Sequence, residues 1–140
     1  MQTFLPYISF TNTATVLDYR RLGKQRVETK QILQVLDPSY NKKGWINHPA
    51  VRMWRGYEWA LAEYGKTICR EWIRRGYKDS LLSWFEQEQM KHFNKHDIFP
   101  PWMNEQFERS HRSNLLRKQP EHYRKFWPKL RDDLPYVWPI

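Results

Sequence analysis

The sequence predicts an all-α fold: one domain with a long central helix, an Arg-rich N-terminal helix and long ordered loops. Three observations predict it. No stretch alternates apolar and polar residues with the period of two that a half-buried strand requires. Two long segments space their apolar residues three to four positions apart, the helical period. Prolines and glycines fall where those segments would have to stop or bend. At 140 residues, with no internal repeat, low-complexity tract or Gly/Ser linker, the chain suits a single core, so residues 1–140 are read as one domain.

Residues 1–11 read as extended, with Pro6 interrupting an apolar stretch. Asn12, Thr13 and Thr15 each offer an N-cap for a helix running to about Leu36. Gly23 marks a bend in it or a close approach of a neighbour, and Asp37-Pro38 stops it. SYNKKGW, from Ser39, is a loop. A second, spine helix is predicted over residues 47–76. Asn47 caps it, Pro49 is tolerated in its first turn, and Gly76 ends it. Trp54, Tyr57, Leu61, Ile68 and Trp72 share its apolar face. Glu58 projects within that face and needs a partner, for which the Arg-rich first helix is the source. Asp79 or Ser80 opens a third helix to about His92, and HDIFPPW is a stiff loop. Asn104 caps a fourth helix to about Lys118, Pro120 opens a short fifth segment, and the tail from Pro128 reads as an irregular strap.

Twenty-four Lys and Arg against fifteen Asp and Glu give a net charge of +9. That favours an anionic partner, since neutralising phosphates releases counterions. A basic but merely solvated surface is the other reading of the same number. Eight Trp, eight Tyr and seven Phe supply large rings for the core. In a basic chain such rings also stack on bases or wedge between base steps, and the loops around Trp45 and Trp102 offer candidate wedges. Cys69 is the only cysteine, so no internal disulfide forms, and a reducing cytoplasm is expected. The start MQTFLPYISF lacks signal-peptide character, and no apolar run approaches the roughly 20 residues of a membrane span. A cytoplasmic, nucleoid-associated monomer with no membrane contact is therefore expected.

The run LDYRRLGKQRVETKQILQVL, Leu17–Leu36, is the most specific feature. Projected at 100° per residue, Leu22, Thr29, Ile32, Leu33 and Leu36 share one face. Arg21, Gln25 and Glu28 fall along one border of it, Lys24 just outside, and Arg26 on the opposite border. A carboxylate beside guanidinium and amide groups suits a site that grips an anion and holds an acid or base in reserve.

Two other segments carry polar clusters. WINHPAVRMWRGYE places Asn47 and His48 at a helix start, where free N–H groups and the dipole favour an anion. Simple capping by Asn47 explains the same residues. RSHRSNLLRKQPEHY puts His111, Asn114 and Lys118 on one face, with Arg112 beside them. Such a face suits a phosphodiester backbone, or it is a capped and solvated surface. The five histidines show no metal-ligand spacing, and no phosphate-binding Gly loop or nucleophile elbow occurs. Neither a metal nor a cofactor is expected.

Taken together these segments resemble the pyrimidine-dimer DNA glycosylase (endonuclease V) family. The likeness rests on TFLPY (Thr3–Tyr7), LDYRRLGKQRVETKQIL (Leu17–Leu33), GWINHPAVRMWRGYE (Gly44–Glu58), CREWIRRGYKD (Cys69–Asp79), SHRSNLLRKQPEHY (Ser110–Tyr123) and PYVWP (Pro135–Pro139). The resemblance implies a small all-α enzyme acting on damaged or modified pyrimidines in double-stranded DNA, with possible AP-lyase activity. An N-terminal α-amine would attack the sugar C1′, and a glutamate on the first helix would assist loss of the C2′ proton. Glu28 matches that glutamate, with Val27 intervening between it and Arg26 where the phage pattern has Arg and Glu adjacent. Arg21 and Arg26 would grip phosphates, Gln25 would join them, and His48 matches a histidine at the start of the family's second helix. Gln2 is bulkier than the family's second residue and normally blocks removal of the initiator. The attacking amine expected here is therefore that of Met1, with Lys24 as a substitute and a Glu28-activated water as a third route. Two alternatives keep the scaffold without the lyase: a DNA-binding protein, or an enzyme acting on nucleotides.

Overall fold

The computed structural model describes residues 1–42 and 44–140, and every regular element among them is helical. In chain order these are α1 (Phe10–Val16), α2 (Tyr19–Leu36), α3 (Pro49–Arg52), α4 (Glu58–Arg74), α5 (Leu82–Lys91), a 3-10 turn (Phe93–Lys95), α6 (Glu105–Lys118) and α7 (Pro120–Tyr123). The fold class expected from the sequence is the one observed. The predicted loop from Ser39 is irregular where described, and Lys43 lies outside the described residues.

α2 and α4 pack on each other at the centre, with α1 and α5 against α4. Leu22, Ile32 and Leu33 of α2 meet Leu61, Tyr64 and Ile68 in one buried cluster with Trp54, Phe107 and Leu115. Each fully buried large ring removes roughly 150–250 Å² from water, worth a few kcal/mol at about 25 cal/mol per Å². Gly23 permits the close approach anticipated for it. A Cβ there would stand 2.8 Å from the Trp72 ring of α4.

Four predicted boundaries are corrected. The first helix is two: Ser9, rather than Asn12, Thr13 or Thr15, caps α1 by accepting from the Asn12 N–H at 3.1 Å. Leu17 and Asp18 are extended, Leu17 is fully buried, and Asp18 caps α2. The pull of Leu17 into the core and the capping carboxylate together win over continuous helix. The spine is also interrupted. His48, not Asn47, caps the short α3, its Nδ1 accepting from the Ala50 N–H at 3.0 Å. Gly56 then takes φ +89, a left-handed conformation that ends the turn, before α4 starts at Glu58. Glu58 does not reach the first helix; its Oε1 accepts from the Gly56 N–H at 2.9 Å in the first turn of α4.

Other boundaries follow the sequence. Gly76 closes α4, Asn104 caps α6 by accepting from the Phe107 N–H at 2.9 Å, and Pro120 opens α7. Asp79 supplies the start of the third predicted helix, accepting from the N–H groups of Leu81 and Leu82 at 3.0 and 2.7 Å. Residues 128–140 form an irregular strap across α6. Ser113 and Ser110 hydroxyls accept from the Leu134 and Val137 N–H groups at 3.0 and 3.4 Å.

Candidate active site

An extended chain has no helical partners for its own N–H groups, and buried ones must be satisfied elsewhere. Residues 2–5 meet this demand with side chains from two helices, α2 and α6. The Gln2 N–H donates to Glu28 Oε2 at 3.2 Å, the Phe4 N–H to Gln25 Oε1 at 3.0 Å, and the Leu5 N–H to His111 Nδ1 at 2.9 Å. Tyr64 donates from α4 toward the Phe4 carbonyl at 2.7 Å, and Trp54 Nε1 donates to Thr3 Oγ1 at 3.0 Å. The N-terminus is thereby laid along α2 with its second residue at the Glu28 carboxylate.

Beside this junction opens a cleft of about 680 Å³. Gln2, Gln25 and Glu28 lie along it, with Arg20, Arg21, Lys24 and Lys118 supplying positive charge and Asp18 and Glu121 negative charge. Glu28 is mostly buried, its side chain 15% exposed, and Lys24 Nζ stands 3.8 Å from its Oε1 with 74% of the lysine side chain exposed. Arg21 is braced: its Nη1 donates to Asp18 Oδ1 at 3.1 Å and to Gln119 Oε1 at 2.9 Å. Asp18 also accepts the Tyr123 hydroxyl. Burial opposes its charge, but the hydrogen bonds from Tyr123 and Arg21 outweigh that and hold the carboxyl below its ordinary range. Sequence reasoning missed Asp18, Arg20 and Gln119 as cleft residues. Only Asp18 carried a local signal, an aspartate three residues ahead of Arg21 at a helix start.

His48 faces Trp45 and Trp138 at ring-centroid distances of 5.4 and 6.2 Å. Burial lowers its proton affinity, the N-terminal ammonium lowers it further, and Glu28 pulls the other way. The imidazole, the chain's amino end and the Glu28 carboxylate therefore share one electrostatic environment. Because Nδ1 accepts the Ala50 cap bond, the neutral ring carries its hydrogen on Nε2.

Several predicted contacts lie elsewhere. Gln25 is 1% exposed and fully engaged with the N-terminal segment, so it offers no surface to DNA. Arg26 points away from the cleft: it pairs with the buried Asp79 at 2.6 Å and lies 5.0 Å over the Trp72 ring. His111 is 1% exposed, between the rings of Phe107 and Tyr136, and burial lowers its pKa to about 3. Arg112 Nε donates to the Pro6 carbonyl at 2.7 Å, and its guanidinium lies over Tyr7, so it too holds the N-terminal segment. Asn114 is half-buried outside the cleft lining, and Asn47 is exposed beside a helix of only four residues. Trp102 is no wedge, for it packs edge-on against Trp54 and donates to the Met53 carbonyl, whereas Trp45 is 48% exposed. Of the predicted set, Arg21, Lys24, Gln25, Glu28 and Lys118 line the cleft, whereas Met1 lines a separate cavity with Val35, Tyr40 and Trp45, and its neighbour Gln2 makes the contact with Glu28.

Residues 1–83 match the profile of the pyrimidine dimer DNA glycosylase family. The chain belongs to that family. No curated protein and no solved structure matches it. The glycosylase match covers the N-terminal segment, α2, α3 and α4, hence Glu28, Lys24, Arg21 and His48, while α6 and the strap lie beyond it. Membership makes this a DNA-repair glycosylase in the broad sense, with DNA as its partner. Within the glycosylase cleft the chemistry available is a shielded carboxylate, the Lys24 amine near it and guanidinium groups at the rim. Cys69 adds no nucleophile, since burial pushes its thiol up to about 12.

Proposed function

We propose that the protein removes damaged or modified pyrimidines from duplex DNA and cleaves the resulting site, using an amine at the chain's start and Glu28. The observation that carries this reading is the 3.2 Å hydrogen bond from the Gln2 backbone nitrogen to Glu28 Oε2, beside a basic cleft. It puts the start of the chain at a shielded carboxylate of that cleft, the other, Asp18, being committed to Arg21 and Tyr123.

The reaction follows from those positions. A neutral amine attacks C1′ of the extruded nucleotide, the C1′–base bond breaks, and the base leaves with its electron pair and takes a proton. Loss of a proton from nitrogen and opening of the sugar ring leave an imine between the amine and C1′. Glu28 then accepts the C2′ proton, the C3′–O bond breaks, and the 3′ phosphate departs; water hydrolyses the conjugated imine and returns the amine. An α-amine suits the task because it loses its proton far more readily than an ordinary lysine. Arg21 and Lys118 fit the flanking phosphates and Trp45 an unstacked base; extrusion costs a few kcal/mol. His48 can donate from Nε2 to a sugar or phosphate oxygen.

The position of the nitrogen matters. With Met1 retained, its amine lies one residue beyond the atom bonded to Glu28. With Met1 removed, the Gln2 amine would occupy that atom's place. Lys24 Nζ, 3.8 Å from Glu28, supports a second route through the lysine.

Borohydride trapping on abasic duplex, with the trapped peptide mapped by mass, separates these routes. A covalent adduct at the N-terminal residue that survives Lys24→Ala and disappears on blocking the α-amine is the expected result. An adduct mapped to Lys24 establishes the second route. Glu28→Gln should lower turnover by roughly a hundredfold or more while DNA affinity stays within a few-fold. Wild-type turnover by that variant would remove Glu28 from the mechanism.

A further inference from the structure

Gln25 is placed by the sequence pattern among surface polar groups, yet it is the buried hub of the site. Its amide uses each of its hydrogen-bonding directions. Oε1 accepts from the Phe4 N–H at 3.0 Å and faces the Tyr64 hydroxyl at 2.7 Å; Nε2 donates to the Gln2 carbonyl at 2.9 Å and to Glu28 Oε2 at 3.2 Å. The orientation of this amide follows from the backbone. The Phe4 N–H can only donate and the Gln2 carbonyl can only accept, so the amide oxygen must face Phe4 and its NH2 must face Gln2. With one amino hydrogen committed to Gln2, the second is directed at Glu28. Burial keeps Tyr64 protonated, and its one hydroxyl hydrogen is shared between the amide oxygen and the Phe4 carbonyl, each 2.7 Å away.

We infer that Gln25 is a positioning residue: one amide locks residues 2–4 and the Glu28 carboxylate into a single geometry, its NH2 bridging the Gln2 carbonyl and Glu28 Oε2. This rests on the reading of Glu28 as the group that accepts the C2′ proton. Gln25 itself touches no substrate. It stands in the cleft wall at 1% exposure with its amide engaged by the protein on every side, and it acts through Glu28 and the start of the chain. The same contacts link the two reacting groups, because displacing the amide releases both the carboxylate and the Gln2 carbonyl at once.

Gln25→Glu tests it with almost no change in shape. A second carboxylate would face Glu28 and the Gln2 carbonyl, and two carboxylates so close share a proton. On abasic duplex, the acidic limb of the kcat profile should move upward by about one pH unit or more, with KM for DNA changed by less than about threefold. A folded variant whose limb stays in place overturns the inference, as does a loss confined to KM. If Gln25→Glu does not fold, Tyr64→Phe removes only the hydroxyl behind the amide. Its kcat should fall about tenfold with KM unchanged and the same limb displaced, and a wild-type kcat and limb would overturn the inference. Glu28→Gln, measured in parallel, separates the two levels. Activity retained in that variant, or absent from the wild type, removes the proton-acceptor reading and the positioning role with it. An inactive Glu28→Gln beside an unshifted Gln25→Glu refutes the role of Gln25 alone.

Discussion

Glu28 and Gln25 lie three residues apart on α2, and their fates differ by what stands opposite. Glu28 keeps an opening to the cleft, while Gln25 meets the N-terminal segment and is sealed. His111 shows the same reversal on α6. Its Nδ1 accepts the Leu5 N–H, so its hydrogen sits on the buried Nε2, which has no hydrogen-bond partner among the described residues. Protonating it would bury a charge. The folded ring takes a proton only near pH 3, whereas the unfolded ring takes one near its ordinary 6.5. Between those values the unfolded chain binds more protons, so stability falls as pH drops from about 6.5 toward 3, by up to several kcal/mol. Asp18 extends the loss further down, since its stabilisation is present above its ordinary 3.8 and disappears as pH falls through its lowered folded value. Urea denaturation at pH 7, 5 and 4 should show midpoints declining stepwise. A midpoint that does not move between pH 7 and 4 would contradict the buried, neutral state of His111.

At the scale of elements, the helix starts and stops that were legible in the sequence are those with a local chemical cause. Asn104 caps α6, Pro120 opens α7 and Gly76 closes α4, each through its own backbone or side chain. The break at Gly56 was not legible and that at Leu17–Asp18 was marked only by Asp18 itself, because helical periodicity continues through both and the depth of the core largely decides where the chain turns inward. Gly23 is an intermediate case: the residue flagged a close approach, and the structure supplied Trp72 as the neighbour. Gly23→Ala would drive a methyl to 2.8 Å from an indole that is stacked on Tyr77 and hydrogen-bonded to the Lys78 carbonyl. Overpacking there should cost about 1–3 kcal/mol, read as a lower thermal midpoint. An unchanged midpoint would mean that Trp72 moves aside freely.

At the scale of the molecule, the positive charge is partitioned between structural and exposed roles. Arg26 is spent on Asp79, Arg75 on Glu71 and the carbonyls of Ala14 and Thr15, and Arg112 on Pro6 and Tyr7. Arg20, Arg21, Lys24 and Lys118 line the cleft. If each of these neutralises one phosphate, log Kd for duplex DNA should change with log salt by a slope of magnitude about 4, and Lys118→Ala should reduce it by about one. Arg112→Ala, by contrast, should lower thermal stability and leave the salt slope nearly intact. An equal slope loss in both variants would show that the DNA track runs over α6 as well as through the cleft.

The sequence by itself determined the helical class, several helix ends, the basic balance and the family, because periodicity, capping chemistry and motif spacing are properties of neighbours along the chain. It also singled out the Arg21–Glu28 border of α2. Only the tertiary structure decided which polar residues on that border and on α6 are used up. A helical projection gives the angle of a side chain about its own axis and nothing of what packs against it. The extended N-terminus is the packing partner that mattered. Its unsatisfied backbone N–H groups draw Gln25 and His111 into the interior and bring the start of the chain to Glu28.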